Sequence, residues 1–397
     1  MAKLGRTIAN LARYAKAMES MAATAGAAEP GRLVEVSDFG ANPGNLRMLA
    51  HVPAQVGPRP GLVVVLHGCK QNAGGYDQGT GWSDLADRHG FLLLVPEQRP
   101  ANNPNNCFSW FEPGDTRRGA GEAASIRAMV AWMVREHGVD EERIFVTGLS
   151  AGGAMTAVML ATYPEVFAAG AIVAGLPYGS AQTMQEAFEG MFTARPRAAR
   201  AWGDLVREAS PHRGPWPRVS VWHGSADTTV VPANADEIVK QWTDVHGLNP
   251  GAAERTREGT AERAVWRDRS GAVAVESFSI PGLAHGTPLD TGPGEACCGR
   301  AGPFLLEAGI SSTHHIARFF GLLDGRAETR PAEAVIIPPA PRAAPERPVP
   351  PQRELAAFTA PRREEPRPGP GPGGRTLPID VEAVINKALR AAGLIKP

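Results

Sequence analysis

The pentapeptide Gly148-Leu149-Ser150-Ala151-Gly152 places a serine, the side chain that attacks carbonyl carbon, at the centre of the chain's one G-x-S-x-G. With 45 glycines among 397 residues the pentapeptide alone carries little weight, so its flanks decide. Arg143-Ile144-Phe145-Val146-Thr147 reads as a strand entering it, and residues 151–163 read as a helix leaving it. That is the strand–turn–helix setting of a nucleophile elbow, where small residues let helix and strand approach and the serine sits in a strained conformation above a sheet. The inert alternative is a Gly/Ser turn that merely opens a helix.

A serine hydroxyl is a poor nucleophile until a base takes its proton. In this arrangement the partners follow in the order serine, acid, histidine. His223-Gly224-Ser225-Ala226-Asp227 follows an apolar run and presents Asp227 in a loop. Pro281-Gly282-Leu283-Ala284-His285-Gly286 follows the last apolar run and presents His285. Three partners just past three strand ends are more specific than the serine motif. His285 then relays the Ser150 proton, and Asp227 holds the imidazole tautomer. Of the ten histidines, His314 and His315 fall inside a helix pattern, and His223 precedes the acid and breaks the order, although it could line the site.

The tetrahedral intermediate needs N–H donors for its oxyanion. One is expected from Ala151, directly after the serine. The other is expected from the loop His67-Gly68-Cys69-Lys70-Gln71, where Gly68 permits a sharp turn and Cys69 supplies the donor.

These loops need a scaffold. Strand-like runs occur at residues 33–36, 47–52, 62–66, 91–95, 144–147, 170–173, 219–222 and 273–280. Helical periodicity occurs at 83–89, 122–137, 151–163, 233–246 and 311–323. The 122–137 pattern is the cleanest, with Ile126, Met129, Val130, Met133 and Val134 on one face. Two opening strands and then alternation predict an α/β fold, a mostly parallel sheet with helices on both faces and ligands at its carboxyl edge. Residues 177–217 are irregular in pattern and suit an insertion over that edge.

The chain divides into an N-terminal amphipathic segment (1–30), a domain at 31–325, a Pro-rich linker (326–379) and a short C-terminal helix (380–397). Between Pro331 and Pro378, 14 of 48 residues are proline, which argues for extended chain rather than core. Leu4, Ile8, Leu11, Ala15 and Met18 share a face near the start, but Arg13, Tyr14 and Lys16 interrupt the apolar run a secretory signal needs. The C-terminal helix is expected to dock on something; the N-terminal one fits an ordinary docking helix or a transit-peptide-like amphipathic helix. With 41 basic and 41 acidic residues the net charge is zero, which speaks against nucleic-acid binding. No membrane span, metal or cofactor is expected from the pattern.

His67-Gly68-Cys69, the stretch Tyr76-Asp77-Gln78-Gly79-Thr80-Gly81-Trp82, Phe108-Ser109-Trp110-Phe111, the serine box, His223–Asp227 and the His285 loop together resemble the polyhydroxybutyrate (PHB) depolymerase family of esterases. The resemblance covers residues 32–323. It implies an α/β-hydrolase fold and the same triad of Ser150, Asp227 and His285. The implied activity is ester cleavage, on hydroxyalkanoate polyester or on feruloyl or acetyl esters of plant polysaccharides. Many relatives are secreted, which implies an extracellular location; the unrecognisable signal leaves a cytoplasmic one open.

Cys69 and Cys107 flank the site from two loops, either as a disulfide stiffening the oxyanion loop or as buried thiols. Cys297 and Cys298 are adjacent and could form only a strained vicinal ring or pair elsewhere. Trp82, Trp110, Phe111, Tyr178 and His67 are candidates to line a substrate groove, with core aromatics the competing reading. The leading reading is a serine esterase of the PHB depolymerase type. A feruloyl or acetyl-xylan-type esterase is the enzymatic alternative, and a non-catalytic protein binding polymer granules through its terminal helices is the alternative of another class.

Overall fold

Leu62-Val63-Val64-Val65-Leu66 is buried at every position, as an interior strand of a sheet covered on both faces must be. Its side chains alternate: Leu62, Val64 and Leu66 join one apolar cluster with Ile126, Met129, Val130 and Met133, while Val63 and Val65 join another with Ile316 and Phe320. This strand is β3 of the computed structural model, which describes residues 31–323.

The main sheet comprises β1 (Val34–Val36), β2 (Arg47–His51), β3 (Leu62–Leu66), β4 (Leu92–Glu97), β5 (Ile144–Leu149), β6 (Ala169–Val173), β7 (Arg218–Gly224), β8 (Glu254–Glu258), β9 (Ala261–Arg267) and β10 (Val273–Ile280). Their order across it is β1-β2-β4-β3-β5-β6-β7-β10-β9-β8. From β4 to β10 the strands run parallel. The pairs at either edge are antiparallel. The α/β expectation, with two opening strands and helices on both faces, matches this arrangement.

Helices α1 (Ala73–Thr80), α2 (Trp82–His89), α3 (Pro113–Thr116), α4 (Gly121–His137), α5 (Ala151–Thr162), α6 (Met184–Thr193), α7 (Ala199–Glu208), α8 (Ala233–Val245) and α9 (Ser312–Phe319) fill the connections. A small parallel pair, β11 (Thr287–Leu289) and β12 (Leu305–Glu307), follows the His285 loop.

Several elements escape the periodicity reading for physical reasons. Helix α1 has three glycines and few apolar residues; the Asn72 side chain starts it by accepting from the Gly75 amide, and Gly81 ends it at φ 74°. Strand β8 reads Glu-Arg-Thr-Arg-Glu, a charged edge strand with no apolar pattern to find. The irregular region 177–217 contains α6 and α7. A usable signal existed there, because Thr183 and Glu186 have capping-box spacing and the Thr183 hydroxyl accepts from the Glu186 amide. The segments at 1–30, 326–379 and 380–397 lie outside the described residues. Among the described residues, no helix is long and apolar enough to cross a membrane.

Helix α5 crosses β3 so closely that a Cβ on Gly152 would stand 2.2 Å from the Leu66 carbonyl oxygen. Backbone cannot yield as a side chain does. Gly152→Ala is therefore expected to lower stability by about 3 kcal/mol, seen as a lower urea midpoint at unchanged slope.

Candidate active site

Strand β5 delivers the chain to Ser150, which adopts φ 58° and ψ −115°, a conformation side chains rarely take. The backbone around it leaves no alternative. A Cβ on Gly148 would lie 2.5 Å from the Gly152 carbonyl group, so the turn closes only with glycine at both ends. The Ser150 amide donates to the Val173 carbonyl at 2.9 Å, and its carbonyl accepts from the Ala154 amide at 2.8 Å. With its backbone tied at both ends, the serine projects its hydroxyl into a cleft at the sheet's carboxyl edge.

Strands β7 and β10 are parallel neighbours in register to Gly224 and Ile280, so the loops that follow them emerge side by side. Those loops are stitched together: Ser225 N–H donates to the Ile280 carbonyl at 2.9 Å and Ala226 N–H to the Leu283 carbonyl at 3.0 Å. The Gly282 amide donates to the Ser225 hydroxyl at 2.9 Å. Contact this close requires Gly224, where a Cβ would sit 2.2 Å from the Leu283 carbonyl oxygen.

The result is a continuous line of three buried side chains. His285 Nε2 lies 2.9 Å from Ser150 Oγ, and His285 Nδ1 lies 2.7 Å from Asp227 Oδ2. The other Asp227 oxygen accepts from the amides of Thr229 and Val230, each at 2.9 Å. Burial acts to raise the Asp227 carboxyl, but the neighbouring ring of His285 and hydrogen bonds from His223 and His285 override it. The group is held well below the usual carboxylate range. An ionised Asp227 accepts a hydrogen bond from Nδ1–H, which leaves Nε2 free to accept from the serine.

Cys69 and Ala151 border the same cleft as Ser150. Among the described residues neither amide has an acceptor in a loop or cap, so both are available to an oxyanion. Cys69 and Cys107 form a disulfide, the first of the two states open from sequence. The oxyanion loop is tied further by Lys70 N–H to the Asn105 carbonyl at 2.6 Å and by Gly68 N–H to Gln71 Oε1 at 2.9 Å.

Trp110 lines the cleft, as the sequence suggests, together with Phe111, Met184, Phe188, Met191 and Val230. Trp82, Tyr178, His67 and His223 do not. Trp82 is packed in the second apolar cluster, edge-on to Phe91, because it opens a helix lying on the sheet rather than above its edge. Tyr178 has both backbone groups bonded to the Gln241 amide and packs beside the first cluster. His67 is wholly buried behind the oxyanion loop; burial lowers its pKa, its Nδ1 donates to the Gly68 carbonyl and its Nε2 accepts from the Gln98 amide. His223 lies behind the acid, with Nε2 2.8 Å from the Val230 carbonyl and 3.4 Å from Asp227 Oδ2. Cys297 and Cys298 are free thiols.

Sequence reasoning missed two contributors. The apolar face of α6 carries Met184, Ala187, Phe188 and Met191 at helical spacing, and this face forms a wall of the cleft. Phe304 stands edge-on to His285, 6.0 Å between ring centroids, and no local pattern marks it. The cleft has about 40 Å³ of room, space for a few waters.

Known proteins share this frame. A family model described as Esterase PHB depolymerase matches residues 48–265. Poly(3-hydroxyalkanoate) depolymerase C of Paucimonas lemoignei is 46% identical over 292 residues, covering 73% of this chain and 70% of that protein. An acetylxylan esterase of Coprinopsis cinerea is 37% identical over 270 residues, covering 65% and 70% respectively. The solved acetyl xylan esterase from Aspergillus awamori superposes with a TM-score of 0.63 at 27% identity, covering 74% of this chain and all of that one. The chain belongs to the PHB depolymerase family of esterases, and these relatives are carboxylic-ester hydrolases.

Proposed function

We propose that the protein hydrolyses the ester bonds of hydroxyalkanoate polyesters or their oligomers through an acyl-serine intermediate. The observation that carries this reading is the buried line from Ser150 through His285 to Asp227, opening on an apolar cleft. In the first half-reaction Ser150 Oγ bonds to the ester carbonyl carbon while His285 Nε2 takes its proton. The carbonyl oxygen becomes an oxyanion held by the Cys69 and Ala151 amides. Collapse breaks the bond to the alcohol, which leaves with the proton from His285. Water repeats the sequence on the acyl-serine and releases the acid. Asp227 stays ionised throughout and stabilises the imidazolium.

The substrate class is supported by 46% identity to a poly(3-hydroxyalkanoate) depolymerase and by the cleft's mainly apolar lining. Acetyl esters of xylan are the second reading, favoured by the acetylxylan esterase relatives. Contact with polymer granules through the terminal segments is the finer part of the proposal.

Ser150→Ala is expected to reduce kcat/KM for nitrophenyl butyrate by at least about 10³-fold, and equal turnover would remove Ser150 from the mechanism. Product release from polyhydroxybutyrate, acetylated xylan and methyl ferulate, measured side by side, is expected to rank the polyester first. A faster rate on acetylated xylan would transfer the assignment to the second reading. Deleting residues 331–397 is expected to weaken adsorption to polymer while leaving soluble-ester turnover intact; unchanged adsorption would remove the tail from substrate contact.

A further inference from the structure

Glu122 opens helix α4 and is almost wholly buried, yet it touches none of the reacting groups. One carboxyl oxygen accepts from the Gln98 side-chain amide at 2.5 Å, and the other from the Ser109 backbone amide at 2.8 Å. Gln98 sits just beyond strand β4. The same Gln98 nitrogen donates to the Cys107 carbonyl at 3.1 Å, and the Gln98 backbone amide donates to His67 Nε2, also at 3.1 Å. His67 Nδ1 in turn donates to the Gly68 carbonyl at 2.8 Å, directly before the oxyanion residue Cys69.

The orientation of every member follows from its partners. The Gln98 oxygen accepts from the Arg99 amide and the Asn102 side chain, so its nitrogen must face Glu122 and Cys107. His67 must carry its proton on Nδ1, because its Nε2 faces an N–H. Two walls of the cleft therefore meet at one carboxyl group. Through Gln98 and His67 it reaches the oxyanion loop, and through Ser109 it reaches the segment bearing Trp110 and Phe111.

We propose that Glu122 is a positioning residue of the catalytic cleft, setting the oxyanion loop and the aromatic wall in register with each other. The inference rests on the serine-esterase reading above. In either protonation state each Glu122 oxygen keeps a lone pair for the donor facing it. An amide cannot do this, since its NH2 would confront either Gln98 or Ser109 as donor against donor. Oxyanion stabilisation depends steeply on donor placement. A displaced loop should therefore lose turnover more than ground-state binding.

The test compares wild type, Glu122→Gln and Gln98→Met on nitrophenyl acetate, with turnover expressed per serine titrated by a phosphonate so that unfolded protein drops out. Glu122→Gln is expected to lower kcat about tenfold with KM changed less than threefold, and to weaken an alkyl boronic acid, which mimics the tetrahedral intermediate, by a similar factor. Turnover per titrated serine within twofold of wild type overturns the proposal, whatever happens to thermal stability. Should Glu122→Gln yield no folded protein, Gln98→Met decides by the same criterion. Retained turnover in Ser150→Ala would instead strike at the esterase reading, so the two failures are distinguishable.

A pH readout accompanies it. Burial, reinforced by the Asp115 carboxylate, pushes the Glu122 carboxyl up to about 8 from an ordinary 4.5, against hydrogen bonds from Ser109 and Gln98 that favour its charge. His67, the other titratable group of the network, is kept neutral by burial. A raised acid favours the folded state fully below its unfolded value, and that contribution is lost as pH climbs through the folded value. Urea midpoints of wild type are therefore expected to fall between about pH 4.5 and 8 more steeply than those of Glu122→Gln. Parallel curves would detach the buried carboxyl from this pH dependence and count against the network as drawn.

Discussion

The hydrogen bond from His285 to Asp227 is the interaction on which the site depends, because it fixes which face of the imidazole meets the serine. It can form only if a carboxylate is kept ionised away from water, and burying an unpaired charge is costly. Here the Thr229 and Val230 amides serve one oxygen, while His285 and the nearby His223 serve the other. The sheet order follows as a requirement. Strands β7 and β10 must be adjacent and parallel so that the two loops can share hydrogen bonds, and Gly224 must lack a side chain so that they can touch. What looks in sequence like two unrelated glycine-flanked loops is one structure held together from both sides.

Much of this was legible because local chemistry and topology agree. Gly148 and Gly152 announce the tight turn at Ser150, and the apolar runs before Asp227 and His285 announce strand ends. Chain order then identifies the partners without knowledge of distance. The Ala151 amide, proposed as an oxyanion donor, follows from the same logic, since a backbone amide directly after a serine is placed by the turn itself, and both it and Cys69 border the cleft. Trp110 was legible as a cleft residue, but Trp82 was not distinguishable from it, because an aromatic beside a motif looks the same whether it faces a cleft or a core. His67 and His223 illustrate the point further. Both adjoin functional loops, yet each turns inward to hold backbone carbonyls. Side-chain direction on a loop is decided by tertiary hydrogen bonds that no spacing encodes. Phe304 is the extreme case, reaching His285 from a segment without periodicity.

The two halves of the site are built by different means. The serine and its relay rest on regular elements, with β5, β7 and β10 each ending where a functional residue is needed. The loop proposed to hold the oxyanion, between β3 and α1, is held in addition by a covalent tie, Cys69 to Cys107, and by the Lys70–Asn105 backbone bond. Residues next to each cysteine, Lys70 at φ 62° and Asn106 at φ 51°, adopt left-handed backbone that side chains resist. Such conformations persist only where surroundings over-determine them. An oxyanion hole works because its donors are already aimed before charge develops, so they need not reorganise during reaction. Strain on both sides of the cross-link fits that demand: the loop is held where the intermediate needs it rather than where an isolated chain would relax.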